Sequence, residues 1–340
     1  MGGGIQLRMR IPVRGLGLVS LSVAPAALLV AAALGPVRTV GAVPTPVVWV
    51  ATLSALACVG YVARLEADAA LDGWHDGAVT PEAADVATVL AVAAGAPLTR
   101  LLAVDAGLGV VVAAALIGLL ADRLVPSYAA AVYCGAFVGM ASPALFGGLP
   151  AVTAAGLVAG AVFVAAGQVF DGFGGKLGTT AFVGCAAIAL ALGVDGGTGS
   201  VVPAPVAVRY TLAGAAAAGI TYASSVRLGH GPVQASALVG LVGGLVCPAL
   251  PAGEGLAAVV FCASFAGMAQ PDRVPGIGAM AVAGAVCGVL VAAAGPVLVG
   301  FGGKLGTIAF VACLVVRGVL GVGADALPAS LPTPADGLGS

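Results

Sequence analysis

Long apolar stretches, separated by short polar, glycine or proline turns, make up most of the chain. A transmembrane helix needs ~20 mainly apolar residues, and twelve stretches approach or reach that length. They lie near residues 15–35, 42–64, 83–98, 101–121, 126–146, 150–170, 179–194, 205–224, 232–250, 255–271, 276–298 and 305–322. The pattern predicts an all-α polytopic membrane protein with about 12 transmembrane helices.

One hydrophilic connection of appreciable size, 65–82, follows the first two apolar stretches, and its composition is typical of a solvated loop. The Pro- and Ala-rich end of the chain is typical of a flexible tail. The predicted organisation therefore has an N-terminal two-helix membrane segment with its hydrophilic loop, two membrane repeats and a tail, at 1–82, 83–198, 205–322 and 323–340.

An internal duplication supports this division. Residues 172–185 read GFGGKLGTTAFVGC and residues 300–313 read GFGGKLGTIAFVAC, identical at twelve of fourteen positions and 128 positions apart. At the same offset, YCGAFVGMASP at 133–143 aligns with FCASFAGMAQP at 261–271, with six identities. Scattered matches arise by chance in a Gly- and Ala-rich chain. An identical octapeptide that contains both lysines of the protein does not.

The duplication predicts the topology. It places five apolar stretches in each copy, and an odd number of crossings makes the second copy enter the membrane from the opposite side. We therefore predict two inverted-topology repeats related by a pseudo-two-fold axis in the membrane plane. If the short segment after each GFGGKLGT re-enters instead of crossing, each copy has four crossings and the copies are parallel.

Composition narrows the classes of protein that remain. The chain is 61% hydrophobic and 8% charged, with a mean hydropathy of +1.15, against ~25% charged residues in soluble domains. These values exclude a cytosolic enzyme, a disordered protein and a nucleic-acid-binding protein, and they make the lipid bilayer the expected partner. The seven cysteines lie in apolar runs without a C-x-x-C, and only two histidines accompany them, so no metal site and no cofactor is expected.

The arrangement of basic residues predicts the orientation. Arginine and lysine prefer cytoplasmic loops, and an N-terminus inside places nine of the thirteen there. We therefore expect a multi-pass protein of the cell (plasma) membrane with a cytoplasmic N-terminus. Arg8, Arg10 and Arg14 precede the first stretch; a cleaved signal peptide is one interpretation, but a retained helix is favoured because the stretch is long and further spans follow.

The duplicated octapeptide is the main candidate for a substrate site. Its four glycines interrupt a helix and permit positive φ, and interrupted segments at matching positions of two repeats indicate a binding site in transporters. Thr179 and Thr307 could begin the following helices as N-caps, where free N–H groups and a neighbouring lysine suit an anion. The alternative is an interfacial turn whose lysine reaches the headgroups. The candidate substrate-binding residues are Gly172, Gly174, Gly175, Lys176, Thr179, Gly300, Gly302, Gly303, Lys304 and Thr307.

A second set of residues is a candidate for a pore or for ion coupling. The duplicated C-x-x-F-x-G-M-A-x-P motif contributes a phenylalanine and a methionine from each copy, although such side chains more often serve packing. A carboxylate near a span start could couple proton or cation movement, or it could simply lie at the interface. These residues are Asp105, Phe137, Met140, Phe265 and Met268.

These features favour a membrane transporter or facilitator that moves a small solute, with an anion as one option, through a site between the repeats. The alternatives are a passive channel for a small neutral solute and a non-transport membrane scaffold. No motif of an intramembrane enzyme occurs in the chain, so no catalytic residue is assigned, and homo-oligomerisation stays open. The architecture resembles that of transporters with two five-helix repeats, and the octapeptide resembles the glycine-rich turns of urea channels; no residue role is transferred from either.

Overall fold

The computed structural model describes residues 11–35, 45–72 and 83–326. These residues form twelve α-helices and no β-strand. The helices are α1 (Ile11–Leu34), α2 (Thr45–Asp72), α3 (Ala83–Arg100), α4 (Val110–Leu124), α5 (Ala129–Gly139), α6 (Leu149–Ala165), α7 (Lys176–Leu192), α8 (Ala204–Tyr222), α9 (Pro232–Val246), α10 (Gly253–Ala266), α11 (Gly276–Ala294) and α12 (Lys304–Ala326). The all-helical prediction is confirmed for this part of the chain.

Six helical segments are long and apolar enough to cross a membrane, judged by length and composition. They are Arg14–Leu34, Pro46–Ala69, Ala83–Asp105, Pro232–Ala249, Gly276–Ala294 and Lys304–Val322. Leucine and valine side chains project outward from the helices, with Leu190 83% and Leu124 73% exposed. An outer surface of this kind suits a lipid environment, because in water such large apolar patches are uncommon. The fold is consistent with a helical membrane protein.

Several helices end earlier than the apolar pattern suggests, because glycines interrupt them. The stretch predicted at 101–121 begins as a π-helix, Leu101–Asp105, that continues α3. Gly107 and Gly109 then adopt positive φ, and α4 starts only at Val110. Likewise α5 ends at Gly139, well short of residue 146. A helix rises ~1.5 Å per residue, so these interruptions leave helices shorter than a full bilayer crossing.

The hydrophilic connection is partly helical. Helix α2 runs to Asp72, so residues 65–72 are not the loop that the sequence suggests, while 73–82 and most of the predicted tail, 327–340, lie outside the described residues. Helix α1 packs beside the α6–α7 turn, where Gly17 faces the backbone of Ala165. Helix α2 packs on α12, where Gly318 faces Cys58. The N-terminal pair therefore lies against both GFGGKLGT-bearing helices.

The two halves of the remaining bundle have corresponding elements. The π-helix that continues α3 has a counterpart at Ala223–Arg227, which continues α8. These first elements correspond at an offset of 122, whereas α6/α11 and α7/α12 correspond at 128. The second copy therefore carries six more residues between the start of α9 and Cys262 than the first carries between the start of α4 and Cys134, a difference that the single offset of 128 did not reveal.

Candidate functional site

Two chain breaks carry the octapeptides. The first separates the end of α6 at Ala165 from the start of α7 at Lys176, and the second separates Ala294 from Lys304. Each break contains three residues with positive φ, and they occur at equivalent positions with closely similar angles. The pairs are Phe170 (53°) with Leu298 (51°), Gly172 (76°) with Gly300 (92°), and Gly175 (83°) with Gly303 (79°). The same local sequence thus adopts the same backbone twice.

Relative to the predicted stretches 179–194 and 305–322, α7 begins three residues earlier and α12 begins one residue earlier. Gly175 is left-handed and flanks α7, which starts at Lys176 without a side-chain cap. Thr179 therefore lies in the first turn, where its backbone N–H and its hydroxyl both donate to the Gly175 carbonyl. Thr307 repeats this arrangement with Gly303. The N-cap role expected of the threonines is wrong, because each helix begins directly after a left-handed glycine, Gly175 or Gly303, four residues before the threonine.

The two octapeptides meet at the centre of the bundle. Gly178 and Gly306 face each other so closely that a Cβ on either would overlap the Cα of the other. A Cβ on Gly175 would overlap the backbone of Gly306 and Phe310, and a Cβ on Gly303 would overlap the equivalent backbone of the first copy. Because position 175 lies opposite 306–310 and position 303 lies opposite 178–182, the first turns of α7 and α12 pack antiparallel.

Each break is also held by the opposite half. The Gln270 backbone N–H donates to the Gly172 carbonyl at 2.8 Å, and the Ser142 N–H donates to the Gly300 carbonyl at 2.9 Å. Positions 142 and 270 are themselves equivalent at the offset of 128. The first copy thus donates to the second the same hydrogen bond that the second donates to the first. Reciprocal contacts of this kind are typical of a local two-fold relation.

The lysines of the two breaks bind backbone carbonyls of the preceding turns. Lys176 Nζ donates to the Gly167 carbonyl at 3.1 Å and lies 3.9 Å from an Asp171 carboxylate oxygen. Lys304 Nζ donates to the carbonyls of Gly295, at 3.0 Å, and Val297. An ammonium group has three N–H donors, so each lysine fastens its break and Lys304 keeps one donor free of these carbonyls.

Four aromatic residues of α5 and α10 pack between the halves. The Phe137 and Phe265 rings are 4.5 Å apart at their centroids, and Tyr133 and Phe261 extend the cluster with tilted and edge-to-face contacts. All four side chains are buried. The duplicated motif therefore supplies a shared aromatic core at the interface, and no solute-sized gap separates the Phe137 and Phe265 rings.

A cavity of about 270 Å³ lies beside this cluster on the Lys304 side. It includes six of the residues predicted for the site, which are Phe137, Met140, Phe265, Gly300, Gly303 and Lys304. The other octapeptide residues predicted for substrate binding lie in the breaks or in the first turns of α7 and α12 and do not line this cavity; they are Gly172, Gly174, Gly175, Lys176, Thr179, Gly302 and Thr307. The structure brings these residues to one region of the molecule.

Asp105 and Met268 lie apart from the cavity. Asp105 is exposed at the end of the π-helix after α3, and Met268 is half-buried after α10. Neither contributes to the cavity lining. Their predicted pore or coupling role stays a prediction.

Two buried charges near the breaks were not predicted from the sequence. Glu66 accepts a hydrogen bond from the Phe170 N–H at 2.8 Å and pairs with Arg273 at 2.6 Å. Arg100 is buried and donates to the carbonyls of Ala141 and Phe146, which holds the turn after α5. An ionisable residue inside an apolar run is the signal that could have indicated Arg100, because such residues are usually paired or functional.

A scan against models of known protein families matches none, and searches of curated proteins and of solved structures find no similar chain. The geometry of the two breaks is therefore the basis for proposing a function.

Proposed function

We propose that this protein is a membrane transporter or facilitator that moves a small solute, with an anion favoured, through a site between two inverted repeats. The observation that carries the proposal is the meeting of the two octapeptides at Gly178 and Gly306, beside a cavity that Lys304 lines. Backbone outside helical geometry is tolerated at membrane depth where it is buried in protein or lines a wet cavity.

The antiparallel packing of α7 and α12 supports inverted repeats. If both helices insert into a membrane, equivalent helices that run antiparallel enter it from opposite sides. Antiparallel helices enter from opposite sides whether α7 and α12 cross the membrane fully or re-enter. A twelve-helix membrane topology with five helices per repeat follows from the same proposal.

The cavity favours a small solute. Its volume of about 270 Å³ lies below the ~300–1,000 Å³ of pockets that take drug-sized ligands. The free donor of Lys304 and its positive charge favour an anion or a solute with electronegative oxygen atoms. Most carbonyls of the break accept hydrogen bonds from within the protein, which makes the ammonium the main polar group available to a solute.

The aromatic cluster favours gated movement over an open pore. Phe137 and Phe265 line the cavity and touch each other at 4.5 Å between ring centroids. A solute that passes between the halves must separate these rings. Because the contacts on either side of them are reciprocal, a rocking motion of one repeat against the other could open the two sides in turn.

Flux into proteoliposomes tests the proposal. We expect potassium formate or potassium nitrate to enter liposomes containing the protein faster than protein-free liposomes, with saturable kinetics. Lys304→Met should remove this flux, and Lys304→Arg should retain part of it. Thermal unfolding of each variant in detergent checks that the lysine substitution has not simply released the break.

Other flux results would contradict the proposal. Rapid urea entry that is unsaturable and unaffected by Lys304→Met would favour the passive channel for neutral solutes. Entry of formate, nitrate and urea at the rate of protein-free liposomes would favour the scaffold.

Uphill accumulation of the anion under an imposed proton or sodium gradient would distinguish a coupled transporter from a facilitator.

Cysteine labelling tests the inverted topology separately. Ala106 and Leu228 are equivalent exposed residues in the turns after the two π-helices. In a cysteine-free background, a membrane-impermeant maleimide should label Ala106→Cys and Leu228→Cys from opposite sides of sealed vesicles. Labelling of both from the same side would overturn the inverted arrangement while leaving transport open.

A further inference from the structure

A second cavity, of about 330 Å³, lies on the Lys176 side of the bundle. Arginines from three separate elements line it: Arg14 of α1, Arg273 of the α10–α11 turn and Arg317 of α12. Glu66 is the one acidic residue in the lining, and Gln168 adds an amide. The formal charge of the lining is therefore +2.

The carboxylate of this cavity is already committed. Glu66 is mostly buried and accepts hydrogen bonds from the Phe170 N–H and from Arg273. Arg273 in turn donates its Nε–H to the Asp171 carbonyl at 2.8 Å and lies over the Phe173 ring at 4.8 Å. This group of residues neutralises itself and forms one wall of the cavity.

Two guanidinium groups face the same cavity without an acceptor from the described residues. Neither Arg14 nor Arg317 makes a hydrogen bond or ion pair within 11–35, 45–72 and 83–326. Each guanidinium carries five N–H donors in a planar fork. Two cations that line one partly enclosed space without an acceptor favour the binding of an anion from outside these residues.

We propose that this cavity binds a phosphate-type oxyanion, held by Arg14 and Arg317 and oriented by the Glu66–Arg273 pair. Guanidinium forks match phosphate oxygens in a bidentate geometry and form short, charge-assisted hydrogen bonds with them. The phosphate can belong to an anionic lipid headgroup or to a free phosphate ion, and the chemistry of recognition is the same for both.

Phe173 of the first octapeptide lines the oxyanion site, but the charged residues of the site are not duplicated. The positions equivalent to Arg273 and Arg317 in the first copy are Leu145 and Ala189, and neither charge is repeated there. Arg14 and Glu66 come from α1 and α2, which lie outside the repeats. The oxyanion site thus belongs to one side of the molecule, and its occupancy can be tested without a transport assay.

The first experiment uses the full-length protein in an uncharged detergent with inorganic phosphate as the probe. Phosphate should raise the thermal unfolding midpoint above that in potassium chloride of equal ionic strength. The double variant Arg14→Gln/Arg317→Gln should bind phosphate ~10-fold more weakly or worse, as the loss of charge-assisted bonds implies. Arg227→Gln, which changes an exposed arginine outside the cavity, should respond like the wild type.

The second arm replaces free phosphate with vesicles of phosphatidylcholine, with or without phosphatidylglycerol. Stabilisation by phosphatidylglycerol that the double variant loses assigns the site to a lipid headgroup, and stabilisation by inorganic phosphate alone assigns it to a free ion. Arg317→Lys keeps the charge without the fork and should bind more weakly than wild type. Equal responses of the wild type and the double variant to both probes would overturn the proposal, provided that both unfold cooperatively.

Discussion

The two copies of GFGGKLGT are one sequence in two environments. Their backbones agree to within about 20° in φ at every left-handed position, and their lysines make the same type of bond to preceding carbonyls. Their surroundings differ. The second copy borders the cavity lined by Phe137 and Phe265, whereas the first is covered by the Glu66–Arg273 pair. Local sequence thus determined the conformation of the break, and the neighbouring helices determined what each copy contacts.

The difference originates in α1 and α2. These helices lie outside the duplication and pack only once against the bundle, so they supply Arg14 and Glu66 to one side. Asp171 adds to the difference because Val299 occupies its equivalent position. A duplicated protein can in this way keep a symmetric centre while its two ends acquire separate properties.

The largest expected effect concerns the feature that the two copies share. Gly178→Ala places a Cβ against the Gly306 backbone, which cannot move aside as a side chain can. We expect a loss in the free energy of unfolding above the ~1–3 kcal/mol that overpacking usually costs, because the obstructing atoms belong to the backbone. Gly306→Ala should have an equal effect, as measured by thermal unfolding in detergent.

Gly60→Ala and Gly278→Ala are the matched controls for this prediction. Both glycines lie in helices, and a Cβ on either would meet no atom within 4 Å. Alanine favours a helix over glycine by ~1 kcal/mol, so these variants should be unchanged or more stable. If Gly178→Ala and Gly306→Ala were as stable as the controls, the close contact of the octapeptides would be wrong.

An intermediate effect is expected at a residue present on one side only. Glu66→Gln removes the charge that pairs with Arg273 and accepts the Phe170 N–H. We expect a loss of ~1.5–3 kcal/mol in the free energy of unfolding, the range for hydrogen bonds to charged groups. In a double-mutant cycle, adding Arg273→Gln should cost less than the two single changes together.

Asp68→Asn on the same helix is the control for Glu66. Its ion pair with Arg64 is exposed, with side chains 64% and 83% accessible, and such pairs contribute ~0–1 kcal/mol. Equal destabilisation by Glu66→Gln and Asp68→Asn would show that the buried Glu66–Arg273 pair contributes no more to stability than the exposed pair does.

The smallest effect is expected where the two octapeptides differ in an exposed partner. Asp171 approaches Lys176 at 3.9 Å but is 72% exposed. Asp171→Asn should therefore change the free energy of unfolding by less than ~1 kcal/mol, measured by chemical denaturation. A larger loss would mean that the first lysine depends on this carboxylate more than on the Gly167 carbonyl, unlike the second lysine.

Much of the fold could be predicted from the sequence because it depends on local pattern. The long apolar stretches located all twelve helices of the described residues, and the repeated octapeptide located both breaks. The helix ends could not be located as well. They depend on positive-φ glycines such as Gly107 and Gly175, and a glycine in a sequence does not reveal whether it ends a helix or packs inside one.

The candidate site was predictable in part for the same reason. The residues of the duplicated motifs were identified because they recur, and several of them line one cavity. Glu66 and Arg100 were missed because neither belongs to a repeated motif. Arg100 has Tyr222 at its equivalent position, where the Tyr222 hydroxyl accepts a hydrogen bond from the Gly276 N–H. Arg100 holds the turn before α6, and Tyr222 holds the equivalent turn before α11, with different chemistry.

The sequence by itself determined an apolar, all-helical chain with two copies of one glycine-rich break, because hydrophobic pattern and backbone freedom are local properties. Only the tertiary structure decided that the breaks meet through Gly178 and Gly306, that Lys304 borders a cavity and that Arg14 and Arg317 share another. These outcomes depend on which helices become neighbours. Helix packing depends on how closely the surfaces of two helices fit together, and those surfaces come from residues that are far apart in the sequence.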